Sequence, residues 1–278
     1  MNILELAILI GLGSLLAGFL GSLTGLGGGI VITPLLTVLF GVDIRYAIGA
    51  SLVSVIATSS GAAAAYVKEG FTNIRIGMFL EIATTAGAVV GASVASRLPV
   101  SAISVIFGIV LLISAYASTR PASKIRSEDS HSRLAERLKL SSTFPTTRSV
   151  EPYHVHGVPA GFSLMFLAGG LSGLLGIGSG ALKVIAMDQA MRIPFKVSTT
   201  TSNFMIGVTA AASAGVYLQR GYIDPGLALP VMVGVALGAL LGARVLARTR
   251  TAALRVVFGI VVAVLAFEMI YHGITGRL

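Results

Sequence analysis

Ten apolar pieces lie along this chain as two sets of five, and the second set repeats the first at a constant offset of 151 residues without gaps. Gly18, Gly25, Gly27 and Gly29 match Gly169, Gly176, Gly178 and Gly180. Arg45, Ser51, Tyr66 and Gly70 match Lys196, Ser202, Tyr217 and Gly221. Gly87, Gly91, Arg97, Phe107 and Gly108 match Gly238, Gly242, Arg248, Phe258 and Gly259. Matches spread along most of each half are not explained by shared apolar composition. The period is far too long for a solenoid and suits a duplicated membrane domain.

The pieces fall at 3–22, 30–40, 46–66, 74–96 and 101–118, then at 158–175, 180–191, 197–217, 225–247 and 252–272. Only 11% of the residues are charged and 55% are hydrophobic, whereas a soluble domain carries roughly 25% charged residues. Such runs read as membrane spans, and lipid leaves the backbone no partner but itself, so they must be helical. The second piece of each half is short: about 11 residues at 1.5 Å each cover only about half of a 30 Å hydrocarbon core. The glycine-rich links 25–29 and 176–180 then lie at membrane depth, where irregular backbone is tolerated only if buried in protein or lining a cavity. The expected fold is all-α: two transmembrane repeats of about five helical segments each, residues 1–118 and 158–278, with broken or re-entrant helices at the glycine links. The N-terminus, Met1-Asn2-Ile3-Leu4-Glu5, has no basic segment before its apolar run, so that run reads as a retained span rather than a cleaved signal.

The net charge of +9 is explained by topology, because Lys and Arg accumulate in cytoplasmic loops; nucleic acid is not the expected partner. The link 119–157 holds Arg120, Lys124, Arg126, Arg133, Arg137, Lys139 and Arg148 and is placed in the cytoplasm. If the first two pieces of each half run out and back, Lys68, Arg75, Arg192, Lys196, Arg244, Arg248, Arg250 and Arg255 face the cytoplasm as well. Arg45, Arg97, Arg220 and Arg277 are then outside, and Lys183 alone falls within an apolar piece. Fusing the first two pieces into one span reverses the second half and moves six of these residues outside, against the bias. The charges therefore predict an odd number of passes per half, inverted repeats, and a multi-pass protein of the plasma or inner membrane.

Several residues point to an anion site. A broken helix exposes backbone N–H groups where its second piece begins, and the dipole there favours negative charge. Gly27, Gly28 and Gly29 in one link, and Gly178, Ser179 and Gly180 in the other, are the candidates. Lys183 follows within one helical turn. A buried cation costs roughly 2.5–3.5 kcal/mol on insertion scales, so it calls for an anion, a carbonyl or a structural acid. Ser51, Thr199, Ser202 and Asn203 offer hydroxyl and amide donors without adding negative charge, although Ser198 or Thr199 also suits a helix N-cap. Glu81 is a candidate for a coupling proton or for the partner of Lys183. Asp188 is a second coupling candidate, or a local ion pair with Arg192 four residues on.

Two glycine links at matched positions resemble those of the sulfite exporter TauE/SafE family, also called the toluene-sulfonate uptake permeases. The resemblance rests on Gly25-Leu26-Gly27-Gly28-Gly29 with Pro34 after it and on Gly176-Ile177-Gly178-Ser179-Gly180 with Ile185 at the proline position. It rests as well on the Ser/Thr-containing segments 46–51 and 195–203 and the long basic middle loop. It implies transport of sulfite, sulfonates or related sulfur oxyanions through a site between the repeats, with the lipid bilayer as surroundings. A homodimer is a candidate assembly, since permeases of this size often pair.

No cofactor is implied. The absence of Cys removes thiolate metal sites and cysteine nucleophiles, and His131, His154, His156 and His272 lie in the middle loop or near the C-terminus, too few together for a metal centre. An intramembrane enzyme is disfavoured, because no histidine base lies in a span to serve a serine. An anion channel is the main alternative to a carrier, and saturation and counterflow separate the two.

Overall fold

The computed structural model describes residues 3–24, 28–68, 72–119, 133–145, 150–246 and 251–276. Its elements come in the same order twice. The first set is α1 (Ile3–Thr24), α2 (Gly29–Pro34), a π-helical turn (Leu35–Leu39), α3 (Ile44–Lys68), α4 (Ile74–Ala95) and α5 (Val100–Thr119). A short α6 (Arg133–Arg137) and a hairpin of β1 (Ser142–Pro145) and β2 (Val150–Tyr153) follow. The second set is α7 (Val158–Leu175), α8 (Gly180–Ile185), another π-helical turn (Ala186–Ala190), α9 (Phe195–Gln219), α10 (Pro225–Leu246) and α11 (Thr251–Thr275). The chain is a helical membrane protein. Helices α4, α7 and α10 are each long and apolar enough to cross a bilayer, and shorter apolar stretches occupy α1, α2 with its π turn, α3, α5 and α11.

Lipid as solvent explains the radial pattern. Leu16, Ile82, Leu167, Leu240 and Phe267 are exposed, while Ser14, Thr33, Ser54, Thr84, Ser172 and Ser213 are buried. An apolar exterior around a polar-spotted interior is stable only where the surroundings are apolar.

Glycine sets the helix packing, as expected where close van der Waals approach replaces a hydrophobic drive. Helix α1 packs along α10, and α7 along α4. A methyl at Gly18 would strike the Val235 backbone, and one at its repeat mate Gly169 would strike the Thr84 backbone. Gly238 lies against the Leu15 carbonyl, and its mate Gly87 against the Phe166 carbonyl. Since Thr84 and Val235, and Leu15 and Phe166, are themselves 151 residues apart, these are the same contacts made twice with the halves exchanged. The directions can be read from the same positions. Gly234 sits over Gly11 and Gly238 over Leu15, so α1 and α10 run parallel; Gly169 sits over Thr84 and Gly173 over Ala88, so α4 and α7 do too.

The middle segment is not all loop. Its hairpin pairs Ser142 with Tyr153 and Phe144 with Glu151. Asn73, at the N-cap of α4, donates from Nδ2 to the Leu140 carbonyl at 3.1 Å and to Tyr153 Oη at 2.6 Å. The His156 amide donates to the Met191 carbonyl at 3.1 Å. Ala135, Leu140, Phe144, Tyr153 and Val155 are buried in one cluster with Ile76, Met187, Met191, Ile193 and Val197. The segment therefore caps the bundle end formed by the starts of α4, α7 and α9. Burial pushes the Tyr153 phenol above its ordinary value of 10.0, against the opposing hydrogen bonds of Asn73 and Ser142.

Candidate functional site

The second glycine link breaks the helix as expected. After Leu175 the backbone turns left-handed at Gly176 (φ +69°), Gly178 (φ +68°) and Ser179 (φ +47°), and α8 starts at Gly180. Glycine takes this conformation without strain, whereas a residue with a Cβ is disfavoured there. Ser179 is that exception, and its buried Oγ has no hydrogen-bond partner among the described residues. The first link separates α1 from α2 at the matching place. Gly25, Leu26 and the candidate Gly27 lie outside the described residues.

The two breaks meet. Ser51 Oγ lies 3.2 Å from the Gly29 carbonyl and 2.9 Å from the Gly176 carbonyl, in the other half. Ser202, the mate of Ser51, donates to the Gly180 carbonyl at 3.2 Å. Gly28 and Gly29 are buried; a side chain at Gly29 would collide with Val55 and Ser51, and one at Gly178 with Ile206. Ser51 and Ser202 thus hold the breaks in place through their carbonyls. The π turn after each break is shared by both halves, so Pro34, which only the first half has, does not cause it.

Other candidates fall less centrally. Helix α9 begins at Phe195 behind Pro194, so neither Ser198 nor Thr199 is its N-cap. Thr199 is half-buried and donates back to the Phe195 carbonyl at 2.9 Å; Asn203 is half-buried one turn further on. Asp188 is half-buried in the π turn Ala186–Ala190, and Arg192 beyond it has φ +55°.

Lys183 is completely buried. Its Nζ donates to Thr209 Oγ1 at 2.6 Å. Thr209 Oγ1 in turn lies 2.7 Å from Glu81 Oε1 and 3.1 Å from the Met205 carbonyl, and its single hydrogen serves one of them at a time. Thr85 also donates to Glu81 Oε1, at 3.1 Å. Glu81 Oε2 is buried without a partner among the described residues. The buried cation and the buried acid are therefore joined through one hydroxyl rather than by direct contact. Thr209 was not singled out from the sequence, where it is one hydroxyl in an alanine-rich span. The repeat mates of Lys183, Thr209 and Glu81 are Ile32, Thr58 and Met232, so this charged relay, drawn from both halves, is made once and has no charged counterpart in the pseudo-symmetric structure.

The two ends also differ. Thr37, Val38, Gly41, Val42, Asp43 and Ile44, together with His272, line an open cleft of about 270 Å³. The mates of that loop, residues 188–195, lie at the end that the middle segment caps.

A family model described as Sulfite exporter TauE/SafE matches residues 10–269. "Probable membrane transporter protein YunE" of Bacillus subtilis (strain 168) is 31% identical over 98% of this chain and 99% of its own length. A "Probable membrane transporter protein" of Xylella fastidiosa (strain 9a5c) is 27% identical over 98% of this chain and 97% of its own. "Probable membrane transporter protein MJ0441" of Methanocaldococcus jannaschii is 25% identical over 96% of both. No solved structure matches the chain significantly.

Proposed function

The chain belongs to the sulfite exporter TauE/SafE family of membrane transporters, and we propose that it is a secondary transporter that carries sulfite, an organosulfonate or a related sulfur-containing anion across the cell membrane by alternating access. The observation that carries this reading is the wholly buried Lys183 ammonium one turn beyond a break that packs against its counterpart from the other half. A fixed positive charge at that depth is costly unless it serves an anion or is neutralised between transport steps. Glu81, reached through Thr209, supplies that neutralisation in the anion-free state.

In this reading the anion sits at the paired breaks. Backbone amides of Gly28 and Gly29 and of Gly178, Ser179 and Gly180 face it, the Ser179 hydroxyl donates to it, and Lys183 supplies the charge. Ser51 and Ser202 fix the two breaks, and Thr199 and Asn203 line the way towards the capped end. The parallel runs of α1 with α10 and of α4 with α7 support inverted repeats. Gly28 lies against Gly18 and Leu35 against Gly13, so α2 and its π turn run back along α1. The links 41–43 and 69–73 are too short to span a helix length at about 3.5 Å per residue, so α3 and α4 reverse in turn and α4 opposes α1. A helix that runs parallel to the mate of a helix opposed to it belongs to an inverted half. In this reading the basic middle segment lies on the cytoplasmic side, and the cleft of Thr37–Ile44 and His272 opens at the opposite end.

The test is sulfite and sulfonate flux into proteoliposomes for wild type and Lys183→Ala. Saturable, counterflow-competent flux that is lost in the variant is the expected result. Flux without counterflow would identify a channel, and unchanged flux and affinity in Lys183→Ala would remove Lys183 from the site.

A further inference from the structure

Resting on that reading, we propose that the Lys183–Thr209–Glu81 relay binds a proton together with the anion, Glu81 being the proton site and Thr209 its positioning residue, so that one proton travels with each monovalent anion. The argument is charge balance at a closed, buried site. In the anion-free state one cation and one carboxylate cancel across a single hydroxyl. A monovalent anion drawn to Lys183 leaves the group with one net negative charge, which a low-dielectric interior penalises by several kcal/mol per uncompensated ion. A proton on Glu81 restores neutrality: Lys183 stays ammonium and pairs with the anion, and the carboxylate becomes a carboxylic acid.

Thr209 makes the two events depend on each other. Its oxygen accepts from Lys183, which leaves its hydrogen for Glu81 or for the Met205 carbonyl. When Lys183 turns to the anion, Glu81 loses the cation held close to it. Its Oε2 has no partner among the described residues, and Oε1 keeps only the neutral hydroxyls of Thr85 and Thr209 as donors, with no positive charge beside them. A carboxylate so stripped is the group that takes the proton.

Among the described residues no other charge on the helices packed about Glu81 competes for this role. Helix α7, packed along α4, contains no titratable residue between Val158 and Leu175. On α9 the other titratable residues are Lys196 and Tyr217, 13 and 8 positions from Thr209 by their numbers, or about 20 and 12 Å along a helix. On α4 itself Arg75 lies six positions before Glu81, about 9 Å along the helix. Asp188 is half-buried in the π turn after α8.

The experiment uses the full-length protein in proteoliposomes with methanesulfonate, a monovalent anion throughout the working pH range, against protein-free vesicles. The pH gradient and the membrane potential are imposed separately. A neutral one-to-one symport concentrates methanesulfonate inside about tenfold for each pH unit by which the lumen is more alkaline, since one proton and one anion share the same logarithmic scale. The accumulation ignores an imposed potential. In Glu81→Gln and Thr209→Val uptake stops at the outside concentration whatever the pH gradient, and Thr209→Ser, which keeps the hydroxyl, restores accumulation. Accumulation in wild type that follows the potential and not the pH gradient overturns this inference while leaving the transport reading intact. Accumulation that survives in Glu81→Gln overturns it too. No protein-dependent flux of methanesulfonate or of sulfite overturns the transport reading, and the inference falls with it.

Discussion

Replacing Lys183 with Met, Glu81 with Gln, and both together measures how far the buried relay stabilises itself. The two hydrogen bonds of 2.6 and 2.7 Å through Thr209 put Nζ at most about 5.3 Å from Glu81 Oε1. At an effective dielectric constant of about 20, two unit charges at that separation attract by about 3 kcal/mol. Burying the lysine costs roughly 2.5–3.5 kcal/mol and burying an acid a similar amount, so the attraction offsets about half of the pair's cost, and a charge left alone keeps its cost with no attraction against it. Lys183→Met leaves the Glu81 charge uncompensated and is expected to cost about 3–5 kcal/mol, the penalty for halving a buried ion pair. Glu81→Gln leaves the ammonium bonded to Thr209 but without a counter-charge, and a similar cost is expected. The double variant is expected to lose about 3 kcal/mol less than the two single losses added together, because it removes both ends of the attraction at once while methionine fills the lysine's volume and glutamine needs no counter-ion. Equilibrium unfolding in mixed detergent micelles reads all four proteins, and the expected coupling energy is about 3 kcal/mol. A coupling below about 0.5 kcal/mol, the range of independent sites, would refute the idea that these charges neutralise each other.

Other sites give sharper contrasts between neighbours or mates. Ser51→Ala removes the donor shared by the Gly29 and Gly176 carbonyls and is expected to cost about 1–3 kcal/mol, against about 1 kcal/mol for Ser202→Ala, which frees one carbonyl; the same micelle titration measures both. Gly169→Ala drives a methyl into the Thr84 backbone, whereas at Gly170 the nearest atom to an added methyl is the Gly87 carbonyl at 3.7 Å. The first is expected to lose about 1–3 kcal/mol by overpacking, and the second to gain up to about 1 kcal/mol of helix propensity; thermal melts of the purified proteins separate them. Because burial holds the Tyr153 phenol neutral, its contribution to the cap is full below pH 10.0 and is lost as the pH rises through its elevated value. Melting temperatures measured across that range should fall less steeply in Tyr153→Phe than in wild type.

Much of the fold was legible because lipid leaves so few options. Charge and turn residues bounded the apolar pieces closely: the expected 158–175 is α7, and the expected 74–96 is α4 at Ile74–Ala95. The short elements of the middle segment were not legible because their burial does not depend on periodicity. Leu140, Phe144, Tyr153 and Val155 are scattered among polar residues, and they are buried only because Met187, Met191 and Ile193 wait at the bundle end. The π turns were equally hidden: nothing in residues 186–190 announces the wider winding found there, which the first half forms with a proline ahead of it and the second without.

The relay shows where sequence symmetry stops being informative. Exchange of the halves accounts for the glycine contacts of Gly18 and Gly169 and for the hydroxyls of Ser51 and Ser202, and a two-fold arrangement serves a site reached from both faces. Symmetry alone would also place equal charge at both breaks. Yet Ile32 and Met232 occupy the positions that mate with Lys183 and Glu81. A duplicated charge pair would put two cations and two acids into one dry interior and double a cost that their attraction offsets only in part. On the transport reading one pair suffices to hold one anion and one proton, and the departure from symmetry at these positions then separates the chemical part of the structure from mechanical parts that are repeated.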